Sequence, residues 1–181
     1  MILPIRKYGD PVLREPARPV GCITPEIVQL AQDMLETMHK AKGVGIAAEQ
    51  VGRLERICVI DIPDGCDKGE QAAFNAPIPM PLAMVNPEII SLEGSENDKE
   101  GCLSFPGIGG SVVRAAKVVC TYIDLAGRRQ TISAAGFLAR AIQHETDHLD
   151  GRLYVDRMSA VERLAFAPKL KKLSRANGGV R

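Results

Sequence analysis

Apolar residues recur at Ile27, Leu30, Ala31, Met34, Leu35 and Met38, the spacing of one face of an α-helix. Thr24-Pro25-Glu26 supplies a cap, a first-turn proline and an acid, and Gly43 is placed to take the left-handed position beyond the end. A second stripe, Leu138, Ala141, Ile142, Glu145, His148 and Leu149, predicts a helix from near Ser133 or Gly136 to about Gly151. A third helix opens at Ser159 with Glu162 three residues on, a capping box. Val161, Leu164 and Ala165 are expected to face the core there, with Pro168 breaking or bending the helix ahead of a solvated basic end.

Between these helices lie the strand-like runs 57–62, 82–92 and 112–125, the last turning at Asp124-Leu125-Ala126-Gly127-Arg128 into Gln130-Thr131-Ile132. Four prolines in residues 1–23 predict an irregular arm laid over the domain, and 63–81 reads as a long surface excursion. No internal repeat interrupts this order, and 181 residues suit one domain, 1–181, with a sizeable core.

Composition narrows the classes. A net charge of +1 gives no electrostatic reason to expect a nucleic-acid or anionic-membrane partner. No apolar run reaches spanning length, and Met1-Ile2-Leu3-Pro4-Ile5-Arg6 lacks the apolar core of a secretory signal, so a cytosolic protein is expected. The five cysteines (Cys22, Cys58, Cys66, Cys102, Cys120) form no C-x-x-C pair, which fits a reducing compartment; most should be small core residues.

The chemistry concentrates in Gln143-His144-Glu145-Thr146-Asp147-His148-Leu149. On a helix, His144 and His148 leave one face a turn apart and can grip one metal ion, while Glu145 is rotated toward the space where a water would lie. Such a string also arises as a solvated charged face. Here two of the chain's three histidines fall in it, along the apolar side, where buried imidazoles need partners.

A catalytic metal takes a third protein ligand. The extended pattern H-E-x-x-H-x-x-G-x-x-H has its glycine, Gly151, but ends on Tyr154. His39 is one candidate, though it sits beside Lys40 and Lys42 where a solvated histidine is expected. Cys102 is the better one, since Gly101 and the run to Gly109-Gly110 give a loop able to fold around an ion. One sulfur and two nitrogens suit zinc or ferrous iron equally. Glu100 and Asp147 are the nearest carboxylates to orient the imidazoles. Gly43-Val44-Gly45-Ile46-Ala47-Ala48 contains G-x-G-x-x-A, but a helix precedes it, so a dinucleotide site is rejected.

Three segments then agree with one family. Gly43-Val44-Gly45-Ile46-Ala47-Ala48-Glu49-Gln50, Glu100-Gly101-Cys102-Leu103-Ser104 and the histidine segment resemble, in order and spacing, the signature motifs of peptide deformylases. Lys7-Tyr8-Gly9-Asp10-Pro11-Val12-Leu13-Arg14 and Asn86-Pro87-Glu88-Ile89 fit as well. The resemblance implies an α+β fold, with small, mostly antiparallel sheets around a central metal-binding helix and helices near both termini. It implies ligation by Cys102, His144 and His148, Glu145 as general acid and base, and an oxyanion site from the Gln50 side chain and the Leu103 N–H. It places Gly43, Val44, Gly45, Ile46, Phe137 and Ala141 against the substrate. Arg114 is a candidate to position Glu100 through an ion pair, the alternative being a surface arginine.

The implied cofactor is one divalent ion, natively Fe2+, with Zn2+, Ni2+ or Co2+ as replacements. The implied substrate is the formyl-methionyl end of nascent polypeptides. The basic run Lys169, Lys171, Lys172 and Arg175 leaves two readings open, a solvated face and a transient ribosome contact. One departure is Gly109, where many members carry a large side chain, often arginine. Phe105-Pro106-Gly107-Ile108 is similar to the plastid-type branch, but without a transit-like extension before Met1 a bacterial cytosolic enzyme is expected.

Overall fold

The structure, a computed structural model, describes residues 1–178. Helix α1 (Pro25–Lys40) is capped by the Thr24 side chain, which accepts from the Ile27 N–H. Its apolar stripe, Ile27, Leu30, Ala31, Met34 and Met38, is buried against Ile46, Ile57 and Val59. The left-handed residue after it is Lys42 (φ +59°), not Gly43 as the sequence suggests. The turn is closed by Lys42 N–H to the His39 carbonyl and Gly43 N–H to the Met38 carbonyl.

A five-stranded antiparallel sheet has the order β1 (Gly45–Ala47), β2 (Ile57–Ile60), β3 (Leu82–Glu93), β6 (Lys117–Ile123) and β7 (Arg129–Ala135). A separate antiparallel pair joins β4 (Glu96–Gly101) and β5 (Gly109–Arg114). The run 112–125 is thus two strands in two sheets. The break at Ala115 has a cause in Gln143, whose amide accepts from the Ala115 N–H (3.0 Å) and donates to its carbonyl (2.9 Å). Those backbone groups are satisfied by a side chain instead of a ladder.

Helix α3 (Gly136–Leu149) lies between the sheets, and all its residues except Phe137 are buried. The periodic stripe predicts one buried face; the helix is enclosed on every side, as expected only where its polar groups find internal partners. Leu138, Ala139 and Ile142 pack on Cys58, Met84, Cys120 and Ala134. The excursion 63–81 contains a short helix, α2 (Gly69–Asn75), that buries none of its residues. It docks through polar contacts at the start of α3: Asp67 accepts from the Phe137 N–H (2.7 Å), and Asn75 bonds both backbone groups of Ala135.

After the short α4 (Tyr154–Arg157), helix α5 (Ala160–Ala176) opens with the Ser159 cap and runs on through Pro168. Val161, Leu164 and Ala165 are exposed, contrary to the sequence expectation, and Leu170 is buried with Phe166 and Leu173 partly covered beside it. Glu162 explains the rotation, because it accepts from the Ser111 N–H of β5 and so turns its neighbours outward. Cys58 and Cys120 are buried as anticipated, whereas Cys22 and Cys66 are exposed.

The N-terminal arm stitches the fold together by backbone bonds. Arg6 N–H donates to Gln50 (2.7 Å), Tyr8 N–H to Ser104 (2.9 Å) and Ala17 N–H to Leu149 (2.9 Å). Each carbonyl belongs to one of the three motif segments, so the arm holds them in one register.

Candidate metal centre

α3 carries His144 and His148 one turn apart, and the loop leaving β4 carries Cys102 to them. Ligand atoms of Cys102, His144 and His148 all lie within 4.8 Å of one another, and Cys102 Sγ is 3.3 Å from His148 Nε2. The donor set, a thiol and two imidazoles converging from a loop and a helix, fits a divalent cation with a position left for solvent or substrate.

Glu100 orients the first imidazole through an Oε2 to His144 Nδ1 bond of 2.9 Å, leaving Nε2 for the metal. Arg114 holds that carboxylate with both arms of its fork (2.8 and 3.0 Å), and Arg140, four residues before His144 on α3, adds a bond of 2.8 Å. Burial alone would raise the Glu100 carboxyl, yet Arg114 and His144 bring it well below the carboxylate range. Asp147 makes no hydrogen bond to an imidazole among the described residues, contrary to expectation; it pairs with Arg114 and Arg157. His148 Nδ1 is buried with no hydrogen-bond partner among the described residues.

The two imidazoles titrate in opposite directions. Burial opposes a proton on His144, but bonds to the Cys102 sulfur and Glu100 outweigh it and raise the value. Burial, then the His144 and Arg114 charges, hold His148 well below its ordinary value. Glu145 is fully enclosed, and burial lifts its carboxyl to about 7, with His144 pulling it down and Glu100 pushing it up. A buried carboxyl near neutrality has the proton affinity that general acid–base chemistry uses.

Gln50 reaches the same point. Its Oε1 accepts from the Ala47 N–H (2.9 Å), which aims Nε2 at Cys102 Sγ (3.3 Å) and Ser104 Oγ (3.1 Å). The Leu103 N–H makes no hydrogen bond among the described residues, and its carbonyl is tied to Lys7 Nζ (2.7 Å). Gln50 and Leu103 both line a cavity of about 770 Å³, the size of a small-ligand or short-peptide site.

Gly43, Val44, Gly45, Phe137, Ala141, His144 and Glu145 line that cavity too. Ile46 does not: it is wholly buried, turned by strand alternation into the core against α1. The glycines are required by close approach. A Cβ on Gly43 would meet the Leu103 side chain at 2.7 Å, and one on Gly45 would meet the Glu145 carboxyl carbon at 2.9 Å. His39 stays outside the site, half-exposed and bonded to Asp61 (2.7 Å). Sequence reasoning missed Ser104 and Arg140, though Ser104 lies within a quoted motif and Arg140 sits at the i−4 position on the ligand face.

A converging thiol, two imidazoles and a buried carboxylate on an α+β scaffold define a metal-dependent hydrolase. A family model described as polypeptide deformylase matches residues 2–164. A peptide deformylase of Endomicrobium trichonymphae is 47% identical over 174 residues, covering 96% of each chain. The crystal structure of peptide deformylase from Thermus thermophilus superposes with a TM-score of 0.84 at 39% identity, covering 97% of this chain and 99% of that one. A peptide deformylase structure from Legionella pneumophila gives 0.82 at 37% identity, covering 100% of both. The chain belongs to the peptide deformylase family.

Proposed function

We propose that residues 1–181 act as one catalytic domain that removes the N-formyl group from the N-terminal methionine of newly made polypeptides and releases formate. The observation that carries this is the meeting of Cys102, His144 and His148, with Cys102, His144 and Glu145 lining a peptide-sized cavity. Cys102, His144 and His148 would hold a divalent ion, which would supply Lewis acidity and lower the pKa of a water toward ~7. Fe2+ is the native ion in this reading, with Zn2+, Ni2+ and Co2+ as substitutes.

The chain's own groups do the rest. Gly43, Val44, Gly45, Phe137 and Ala141 form the wall against which the methionine lies. Glu145 takes a proton from the attacking water as oxygen bonds to the formyl carbon. The Gln50 amide and the Leu103 N–H hold the oxygen that gains charge, and one such donor is worth on the order of 100-fold in rate. The C–N bond then breaks as Glu145 returns its proton to the leaving amine, giving formate and a free methionyl N-terminus.

Among the described residues no helix is long and apolar enough to cross a membrane. We place the activity in the cytoplasm, with no direct nucleic-acid role. The exposed cations Lys169, Lys171, Lys172 and Arg175 of α5 are the face for a transient ribosome contact. The test of the activity is formate release from a formyl-methionyl peptide by anaerobically iron-loaded enzyme, with the acetylated peptide as control. Release from the formyl peptide alone is expected. No release, or cutting inside unformylated peptides, would overturn the reading.

A further inference from the structure

Four cationic side chains line the cavity: Lys7, Lys42, Lys99 and Arg140. Two are committed. Arg140 binds Glu100 and the carbonyls of Val112 and Glu96, and Lys7 donates to the Leu103 carbonyl. Lys42 and Lys99 are exposed, and neither side chain makes a hydrogen bond or ion pair among the described residues. The acids lining the cavity, Glu100 and Glu145, are both buried, so Lys42 and Lys99 are the exposed charges of its lining among the described residues. Lys99 also lies within Coulomb range of Glu162, whose carboxylate is already bonded to the Ser111 N–H and the Ser159 hydroxyl.

The two lysines stand on different walls. Lys42 precedes the Gly43–Gly45 wall, and Lys99 sits on β4 opposite Ser111, one residue before Glu100. Lys42 is held there in a left-handed backbone conformation (φ +59°) that glycine would adopt without strain. Beside Lys99, the facing pair Gly101 and Gly109 brings no side chain to the cavity wall.

We infer that Lys42 and Lys99 are specificity determinants that favour formyl-methionyl peptides carrying carboxylate side chains in the residues after methionine. The inference rests on the deformylase reading and goes beyond it to substrate choice. Once the methionine is seated against the inner wall, the following residues leave through the mouth, where an aspartate or glutamate meets two ammonium groups and a lysine meets like charge.

The test compares kcat/KM for formyl-Met-Asp-Asp, formyl-Met-Ala-Ala and formyl-Met-Lys-Lys amides in the wild type and in Lys42→Glu/Lys99→Glu. Each enzyme is normalised to its own alanine peptide, so a change in folded fraction cancels. The wild type should prefer the aspartyl over the lysyl peptide by on the order of 5-fold, as two exposed ion pairs allow. The preference should shrink toward one near ~1 M salt, where the screening length falls to ~3 Å. The double variant should reverse it. A wild-type ratio of one or less, or a ratio unmoved by the double substitution, would refute the assignment. Failure to release formate even from the alanine peptide would refute the deformylase reading, and this inference with it.

Discussion

Gly45 and Glu145 are packed so closely that a methyl group on the glycine would lie 2.9 Å from the carboxyl carbon. Gly45 has no left-handed backbone to protect, so its lack of a side chain is explained by this approach and by its place in the cavity wall. Gly45→Ala should therefore fold normally and push the carboxylate aside. A displacement of about 1 Å costs on the order of 100-fold in rate. Steady-state kinetics alongside thermal unfolding checks this; full activity in a folded variant would show that Glu145 need not stay where it is.

Glu145→Gln keeps the shape of the side chain and removes its proton chemistry. Metal content should be unchanged while turnover falls by roughly 100- to 10,000-fold. Only the ionised carboxylate can accept a proton, and burial lifts its pKa to about 7. Activity of the wild type should thus decline as pH drops, with a limb at or below 7 because a bound cation draws the value down. A pH profile of kcat/KM measures that limb, and its absence in acid would contradict the assignment.

Arg114 joins two acidic residues, Glu100 and Asp147, in the enclosed interior. Arg114→Met removes one cation from each carboxylate while Arg140 still meets Glu100 and Arg157 still meets Asp147, so the loss should fall below the about 3–5 kcal/mol of a buried charge left with no partner. The same change frees Glu100 from its clamp on His144, so metal affinity should fall by ~10- to 100-fold. Because Glu100 is held below its unfolded pKa, its contribution to stability is present above pH ~4.3 and disappears as pH falls through the folded value. Denaturant unfolding and metal titration of the variant test the two parts separately.

Glu49 is a cost of the same interior. It is fully buried, neither carboxylate oxygen has a hydrogen-bond partner among the described residues, and burial lifts it to about 8. A carboxyl raised on folding stays protonated in the native state while it ionises in the unfolded chain. Its penalty is therefore absent below pH ~4.5 and grows until the folded value is passed. Glu49→Gln should add up to ~3 kcal/mol at pH 7 and nothing near pH 4. Unfolding curves at those two pH values decide it, and equal gains at both would contradict the burial argument.

Local signals made α1 readable in advance, because its cap, proline and apolar stripe all lie within its own residues. The split of 112–125 into two strands was not readable, since the cause is the Gln143 side chain acting from 28 residues away on Ala115. α2 escaped notice because it buries nothing and is fixed by the polar groups of Asp67 and Asn75. At the site, the three motif segments carry their own chemistry in order. The role of Arg140 could have been taken from helical spacing. The inward turn of Ile46 and the outward turn of Val161 depend on neighbours the periodicity does not name.

The central claim is that one sulfur and two imidazole nitrogens hold a single catalytic cation. Its most direct test is anaerobic titration with Co2+ of the wild type and Cys102→Ala, read by the thiolate-to-metal charge-transfer band, with formate release assayed on the same samples. The wild type should take up one ion per chain, show the sulfur band and release formate, and Cys102→Ala should lose the band and the activity together. A Cys102→Ala protein that binds the ion unchanged and still deformylates would contradict the account.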